Sequence, residues 1–420
     1  MTSLNVFRLT QLAVMVGLVG MSANSYAVYN LYKKDGLSLD INGQVDIQAT
    51  RQDYVHEILN DADQSDYYRN NGVATVRTVD QTYTKTSTDR KPRLGQTQGV
   101  SYVEFRGSQE LPNDWRITGN LGLGYSDSRD MYLNNTSLSF DKKGIGAISI
   151  GRQYLHTNYV NRTGTDTPLD IFSSSALRLD YYGVKGLHTS AYYSFTGVND
   201  VRVDDNTGAE SGFGASISYR HPFADRHYVR VATGYTQTNA NPAYVPSLYN
   251  GNDFGRMIDN TLNRYPAKTQ GVAASVEYQA GKFLVAADLG RKKETMSSST
   301  NTPLDHKTSD YVGAKVAYDI NPVFQVSAGY GLKKTKSELK AGAAALSATS
   351  FSSSYVDGDD IYLFDEAKTK EVYLQADYRI RPNVRLYTRF DGEKTTYKVE
   401  NMDYARIKDN NLRAGVVFNF

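Results

Sequence analysis

Cysteine is absent from all 420 residues, so the chain has no disulfide framework, no thiol chemistry and no cysteine metal centre. Long apolar runs are also missing after the N-terminus. Nothing there approaches the roughly eighteen consecutive residues that a membrane helix needs, and the mean hydropathy is −0.51. Helical membrane spans are thereby excluded. Neither sign of charge is in excess, with 47 Lys and Arg against 45 Asp and Glu, which argues against a nucleic-acid partner. Proline is scarce at ten and tryptophan occurs once. What is abundant is Tyr, at 33, and Gly, at 34, the composition of many amphipathic strands with aromatic interfacial belts.

The two ends of the chain are the most informative segments. Residues 1–27 carry one cation, Arg8, then an apolar run from Leu12 to Gly20, then Ser25-Tyr26-Ala27 with small residues at the two positions a signal peptidase reads. This pattern predicts an export signal, too short to span as a helix, and a mature chain starting at Val28. At the other end, Leu412, Ala414, Val416, Phe418 and Phe420 share one side of an extended strand and Asn411, Arg413, Gly415 and Asn419 share the other. Only Val417 breaks the alternation. A frayed soluble terminus would leave the last ring in water, whereas a strand closing a barrel in a bilayer gives it lipid.

Similar alternation recurs in segments of about ten residues, the length of a tilted strand crossing a bilayer. Leu37, Leu39, Ile41, Val45 and Ile47 alternate with Ser38, Asp40, Asn42, Gln44 and Asp46. Phe283, Val285, Ala287 and Leu289 oppose Lys282, Ala286 and Asp288, and Val384, Leu386 and Phe390 oppose Arg385, Tyr387, Arg389 and Asp391. One face suits lipid and the other suits water.

Connections of two kinds take turns. Tight turns are predicted at Pro112-Asn113-Asp114, Lys142-Lys143-Gly144, Val184-Lys185-Gly186, Phe223-Ala224-Asp225, Ala280-Gly281-Lys282, Asn321-Pro322 and Arg381-Pro382-Asn383. Between them lie longer polar stretches near 53–98, 126–130, 155–175, 198–211, 239–268, 293–308, 336–368 and 397–408. Eight loops and seven turns join sixteen strands, an even number with both termini at the short-turn side. The predicted fold is all-β: a transmembrane antiparallel barrel of sixteen strands with short periplasmic turns and long external loops, in one domain over 28–420. Sixteen strands leave an aqueous lumen lined by the polar face.

The opening from Val28 to Asp46, the segment Gly144 to Tyr154 and the terminal strand ending at Phe420 resemble the general diffusion porins of Gram-negative bacteria. That resemblance implies a homotrimer of sixteen-stranded barrels among outer-membrane lipid and lipopolysaccharide, passing small hydrophilic solutes without a cofactor. It also implies a third external loop folded into each lumen, here the segment after Tyr154 within 155–175. The family's acidic loop motif is matched by Asp166 and Pro168 within Thr165-Asp166-Thr167-Pro168-Leu169-Asp170, while Ser173-Ser174 replaces its Gly pair. The arginine ladder usual on the facing wall is largely missing, because Gln44, Tyr102 and Asn134 or Asn135 stand at its positions.

The candidate constriction residues are therefore Asp166, Asp170 and Arg162 on the loop, with Tyr102, Glu104, Arg106, Arg178 and Arg389 on the wall. Asp166 and Asp170 opposed to Arg106 and Arg178 would create a transverse field that filters permeants by charge. Arg152 has the outward parity of Ile148 and Ile150, which unless a bulge intervenes places it at the loop end or against a neighbouring subunit. The acid runs Asp61, Asp63, Asp66 and Asp357, Asp359, Asp360 lack the Gly and terminal Glu spacing of a calcium loop and read as solvated surface. A solute-specific channel would use inward tyrosines such as Tyr102, Tyr182, Tyr192 and Tyr387 as a track, and the long loops leave room for a surface receptor or adhesin. A barrel-embedded hydrolase would need one of only six His, of which His188 beside Ser190 has inward parity in a strand. The signal predicts that N-terminal sequencing of the envelope form begins at Val28; a sequence beginning at Met1 would refute the cleavage site.

Overall fold

The computed structural model describes residues 29–60, 82–96, 101–125, 131–198, 209–240, 267–296, 304–339, 356–357, 360–361, 364–399 and 402–420. The expected signal segment and the run Asp61, Asp63 and Asp66 lie outside these residues.

The strands, in chain order, are β1 (Tyr29–Lys34), β2 (Leu37–Asn60), β3 (Thr82–Gln96), β4 (Tyr102–Leu111), β5 (Trp115–Tyr125), β6 (Met131–Lys142) and β7 (Gly146–Tyr154). After them come β8 (Phe172–Tyr181), β9 (Leu187–Val198), β10 (Ala209–Ala224), β11 (His227–Ala240), β12 (Lys268–Ala280), β13 (Phe283–Thr295), β14 (Leu304–Asn321) and β15 (Phe324–Leu339). The chain finishes with β16 (Val356–Asp357), β17 (Asp360–Ile361), β18 (Glu366–Arg381), β19 (Val384–Val399) and β20 (Met402–Asn419). β16 and β17 form a separate small hairpin.

Every other strand pairs antiparallel with its neighbours, and β20 returns to β2 with Gln44 opposite Asn419 and Ile58 opposite Ala405. Two walls are composite. β4 and then β3 cover successive parts of one side of β2, while β1 and β20 do the same on its other side. The result is a closed barrel of sixteen wall strands. Closure satisfies backbone donors and acceptors that lipid cannot.

Side chains sort by parity as expected. On β13 Val285 and Leu289 are 44% and 64% exposed on the outer face, whereas Ala286 between them is buried. On β20 Leu412 and Val416 face outward and Val417, the one apolar residue on the polar parity of the last ten residues, is buried opposite Asp46. All seven expected turns are present. In the three-residue turn Pro112-Asn113-Asp114, Asn113 and Asp114 take φ of 60° and 59°, the left-handed conformation that Asn and Asp tolerate. An eighth turn, Asp35-Gly36, joins β1 to β2.

The strands are longer than the alternation indicates. β2 runs for 24 residues, so much of the expected first loop over 53–98 is wall. Likewise only residues 400 and 401 separate β19 from β20, where a loop over 397–408 was expected. Above the bilayer both faces of a strand meet water, so hydrogen bonding continues the ladder while the apolar alternation that reveals a strand disappears.

The termini make the closing seam. Gly43 N–H donates to Phe420 O at 2.8 Å and Phe420 N–H donates to Gly43 O at 3.0 Å. A Cβ on Gly43 would overlap the Phe420 ring and stand 2.7 Å from Tyr102 O. Gly43→Val is therefore expected to destabilise the barrel by about 1–3 kcal/mol through overpacking. The measurement is the temperature at which the folded band is lost in a heat-modifiability gel. Gly107→Ala, with nothing within 4 Å of the added carbon, is the control and should leave that temperature unchanged.

Candidate functional site in the barrel lumen

The segment 155–171 between β7 and β8 turns into the barrel. Its departure starts at a bulge: Gly151 has φ of 124° and the register with β8 shifts between Gly151 and Gln153. A 3₁₀ turn follows at His156–Tyr159. Leu155, Val160, Leu169 and Phe172 are almost fully buried, which an external loop in water would not achieve.

The wall is shaped to receive this loop. Val160 and Leu169 pack with Ala232 of β11 and Ala273 of β12, and Leu155 packs with Ala176 and Tyr192. On five consecutive strands the inward residue under the loop is glycine: Gly234, Gly271, Gly290, Gly313 and Gly331. A Cβ at Gly234 would stand 3.0 Å from Leu169 Cδ1, one at Gly290 would stand 2.6 Å from Pro168 Cγ, and one at Gly271 would overlap the Pro168 carbonyl. Thr163 and Thr165 fill the same space over Gly313 and Gly331. These glycines form a trough in which backbone lies on backbone.

Hydrogen bonds pin the loop along the trough. Asp288 of β13 accepts from the Arg162 N–H at 2.9 Å, the Thr163 N–H at 2.8 Å and the Thr163 hydroxyl at 2.7 Å. Tyr373 of β18 donates to Thr163 O at 2.7 Å. Asp170 accepts from Thr238 Oγ1 at 2.8 Å, and the Thr157 hydroxyl donates to its carbonyl.

The expected constriction residues are all found on or beside this loop and wall, but their partners differ from the expected ones. Asp170 is buried and anchors the loop, so it does not present a charge to the lumen. Asp166 is exposed and pairs with Lys333 of β15 at 3.3 Å. Arg106 pairs with Glu104 two residues away at 3.3 Å, beside Tyr102 on the lumen face of β4. Glu104 in turn accepts from Asn135 at 3.0 Å. Arg178 bonds Asp180 at 2.8 Å and donates to Tyr154 O at 2.5 Å. Arg106 and Arg178 thus form local pairs with Glu104 and Asp180 in place of the expected opposition to Asp166 and Asp170. Charges two apart on one strand face are already neighbours and satisfy each other before they reach across a lumen.

Arg389 lies 4.3 Å over the Tyr373 ring and bonds Asp391 at 2.6 Å, which places it directly behind the loop's anchor. Arg152 follows the Gly151 bulge; its Nη1 donates to Leu133 O at 3.3 Å and its guanidinium lies 5.7 Å from the Phe172 ring. Tyr182, Tyr192 and Tyr387 do point inward, bonding Asp141, Asp170 and Asp46. Lys333, Asp288, Glu371 and Tyr373 were missed as site residues. Inward parity was legible for each, but nothing local marks which inward residue lies under a loop 125 or more positions away.

If trough and carboxylate hold the loop, loosening either changes the open area of the pore. Gly271→Val, which must push Pro168 away at about 1–3 kcal/mol, and Asp288→Asn, which weakens three charge-assisted hydrogen bonds, should both raise gating noise. Single-channel conductance should change by tens of per cent, on the order of a lost loop contact. Unchanged current traces from both, with normal folded mobility, would show that the loop is held by something else.

The comparisons agree on one architecture. A family described as Gram-negative porin matches residues 12–396. No curated relative matches the chain in sequence. Among solved structures, the trimer form of in-vitro folded OmpT, an outer membrane protein of Vibrio cholerae, is similar with a TM-score of 0.55 at 16% identity, over 92% of this chain and 100% of that one. An anion-selective porin from Comamonas acidovorans gives 0.54 at 12% identity, over 91% and 100% of the two chains. The outer membrane channel DcaP of Acinetobacter baumannii gives 0.55 at 11%, over 94% and 100%. At these identities the likeness is one of fold, and it is the family match over most of the length that decides kinship. With a closed sixteen-strand barrel, an apolar outer belt and a loop seated in its lumen, the chain belongs to the Gram-negative porin family and is an integral protein of the outer membrane.

Proposed function

We propose that the protein is a passive channel through which small hydrophilic solutes and ions diffuse, narrowed by loop 155–171. The observation that carries this reading is that loop lying along the lumen side of β9 to β18 inside a closed barrel. The path left open runs past the loop, with Glu104 and Arg106 on β4 and Asp391 with Arg389 and Arg413 on β19 and β20 supplying charged pairs along the wall. Charges neutralised within such pairs bind no ion tightly, which suits conduction. Asp166 is the exposed loop carboxylate in the proposed constriction.

No covalent step enters the proposal. His156 Nδ1 lies 2.8 Å from Ser216 Oγ, and His188 Nε2 lies 3.3 Å from Asp180, but the two imidazoles face each other with centroids 3.7 Å apart. Asp180 orients His188 and so does not orient the base beside Ser216, as a triad requires. Ser216 is also buried, away from any substrate. Burial, with the nearby His188 next in effect, lowers the His156 pKa to about 4, which keeps this imidazole neutral.

A homotrimer is part of the proposal, supported by the trimer form of the V. cholerae neighbour, with Arg152 at a subunit contact. Export through cleavage after Ala27 and contact with lipopolysaccharide complete it. In planar bilayers the purified protein should give stepwise, ohmic conductance, and neutral sugars should pass without saturable block. Asp166→Asn should shift the reversal potential in a salt gradient toward anions, and Asp170→Asn should shift it less because that carboxylate is buried. Absence of conductance steps would overturn the channel reading, and saturable sugar block would replace it with a solute-specific one.

A further inference from the structure

Under the loop, on the side of the short turns, lies an alcove of about 640 Å³ between the loop and strands β8 to β11. Arg162, Arg178, Lys185, Arg220 and Arg230 line it, against one carboxylate, Asp180. Asp180 is already engaged by Arg178 at 2.8 Å and His188 at 3.3 Å. The next carboxylate, Glu277, accepts from Tyr228 at 2.8 Å and pairs with Arg230 at 3.7 Å. Positive charge therefore exceeds what the described residues neutralise.

Arg162 shows this most plainly. Its Nε is buried and has no hydrogen-bond partner among the described residues. Burial first and then the like charge of Arg230 lower the pKa of its guanidinium, against the smaller opposing pull of Glu277 and Asp288. The Arg220 guanidinium carbon lies 4.0 Å from the centre of the Tyr228 ring, a cation–π contact that holds this charge beside the alcove. Pore-wall arginines ordinarily stay hydrated or pair locally, as Arg106 and Arg389 do here. Arg413 Nε is enclosed as well, but that guanidinium reaches Asp391 through Nη2, whereas the Arg162 guanidinium has no hydrogen bond or ion pair among the described residues, and a buried donor left unpaired is costly.

We propose that this alcove is a binding site for a small oxyanion carrying two or more negative charges, either a phosphate or a dicarboxylate. Planar guanidinium forks match carboxylate and phosphate oxygens two at a time, and an anion with several oxygens bridges Arg162 and Arg230 as chloride does not. The Val184–Gly186 turn lines the alcove, so the anion is held at the periplasmic side of the narrowing. Binding there is weak enough to release, the condition for a site on a conduction path. The proposal rests on the channel reading and adds a saturable step for one class of solute.

The test records chloride current through reconstituted channels while potassium succinate or potassium phosphate is added at constant ionic strength and pH 8. Acetate is the single-charge comparison. The expected result is saturable reduction of current by succinate, phosphate or both, with acetate far weaker; which of the two acts at lower concentration identifies the source. Arg162→Gln and Arg230→Gln should each raise the half-blocking concentration about tenfold, the loss expected of one charge-assisted contact. Arg291→Gln, on the outer surface and paired with Asp310, should not. Two results would overturn the site while leaving the channel intact: current that falls only in proportion to added anion, or equal half-block in both variants and parent. Channels that never open would instead remove the channel reading and this site with it.

Discussion

The fold depends on one requirement: every backbone N–H and C=O at membrane depth must be paired within the protein, because lipid offers no partner. A sheet of amphipathic strands meets it only by closing on itself, and closure here brings the first and last described strands, β1 and β20, onto one side of β2. β20 covers the upper part of β2 and β1 covers the remainder, so Phe420 ends where Tyr29 begins. The absence of Cβ on Gly43 is what lets the last ring sit in that joint. An aromatic as the final residue is thus a structural element, set against both lipid and the seam.

The same backbone requirement shapes the lumen. A loop of some seventeen residues that enters the barrel carries its own donors and acceptors, and these need partners other than a ladder. Glycines on five adjacent strands bring loop and wall backbones close, and Asp288, Tyr373 and Thr238 supply the side-chain hydrogen bonds. The apolar residues of the loop then bury themselves on Ala232, Ala273 and Ala176. Wall glycines and alanines that would weaken an ordinary strand are in this place the complement of a particular loop.

Most of the barrel was legible in the sequence, because a period of two with lipid on one side leaves a strong imprint. The parities of β2, β13, β19 and β20 and all seven tight turns follow from residues within a window of ten. The strand ends above the membrane were not legible, since water on both faces removes the alternation while the hydrogen bonds persist. The site was legible only in part. That the loop holding Asp166 and Asp170 enters the lumen came through family resemblance. Which of the two carboxylates is buried was decided by Thr238 and Tyr192, residues on distant strands. Charge pairing failed for the same reason: reading Arg106 and Arg178 as facing the loop ignored Glu104 and Asp180, each two residues from its arginine and on the same face. The inward glycines were visible as exceptions to strand propensity, and a row of them at matched depth is the signal that could have placed the loop.

Along the loop itself charge is segregated by position. Arg162 and Asp166 are four residues apart, yet the chain between them crosses Asp288, whose carboxylate takes both backbone N–H groups at 162 and 163. On one side of that anchor Arg162 faces the cations of β8 to β11; on the other Asp166 meets Lys333 and lies near Glu371, whose Oε2 is 3.4 Å from the Asp166 N–H donor. A permeating ion therefore passes from surroundings of mixed sign to surroundings of excess positive charge as it moves toward the turns. In a lumen of intermediate dielectric such fields act locally, because salt screens charges more than roughly 8 Å apart at physiological strength. The anchor at Asp288 thus fixes the backbone and, with it, the order in which a solute meets the two fields.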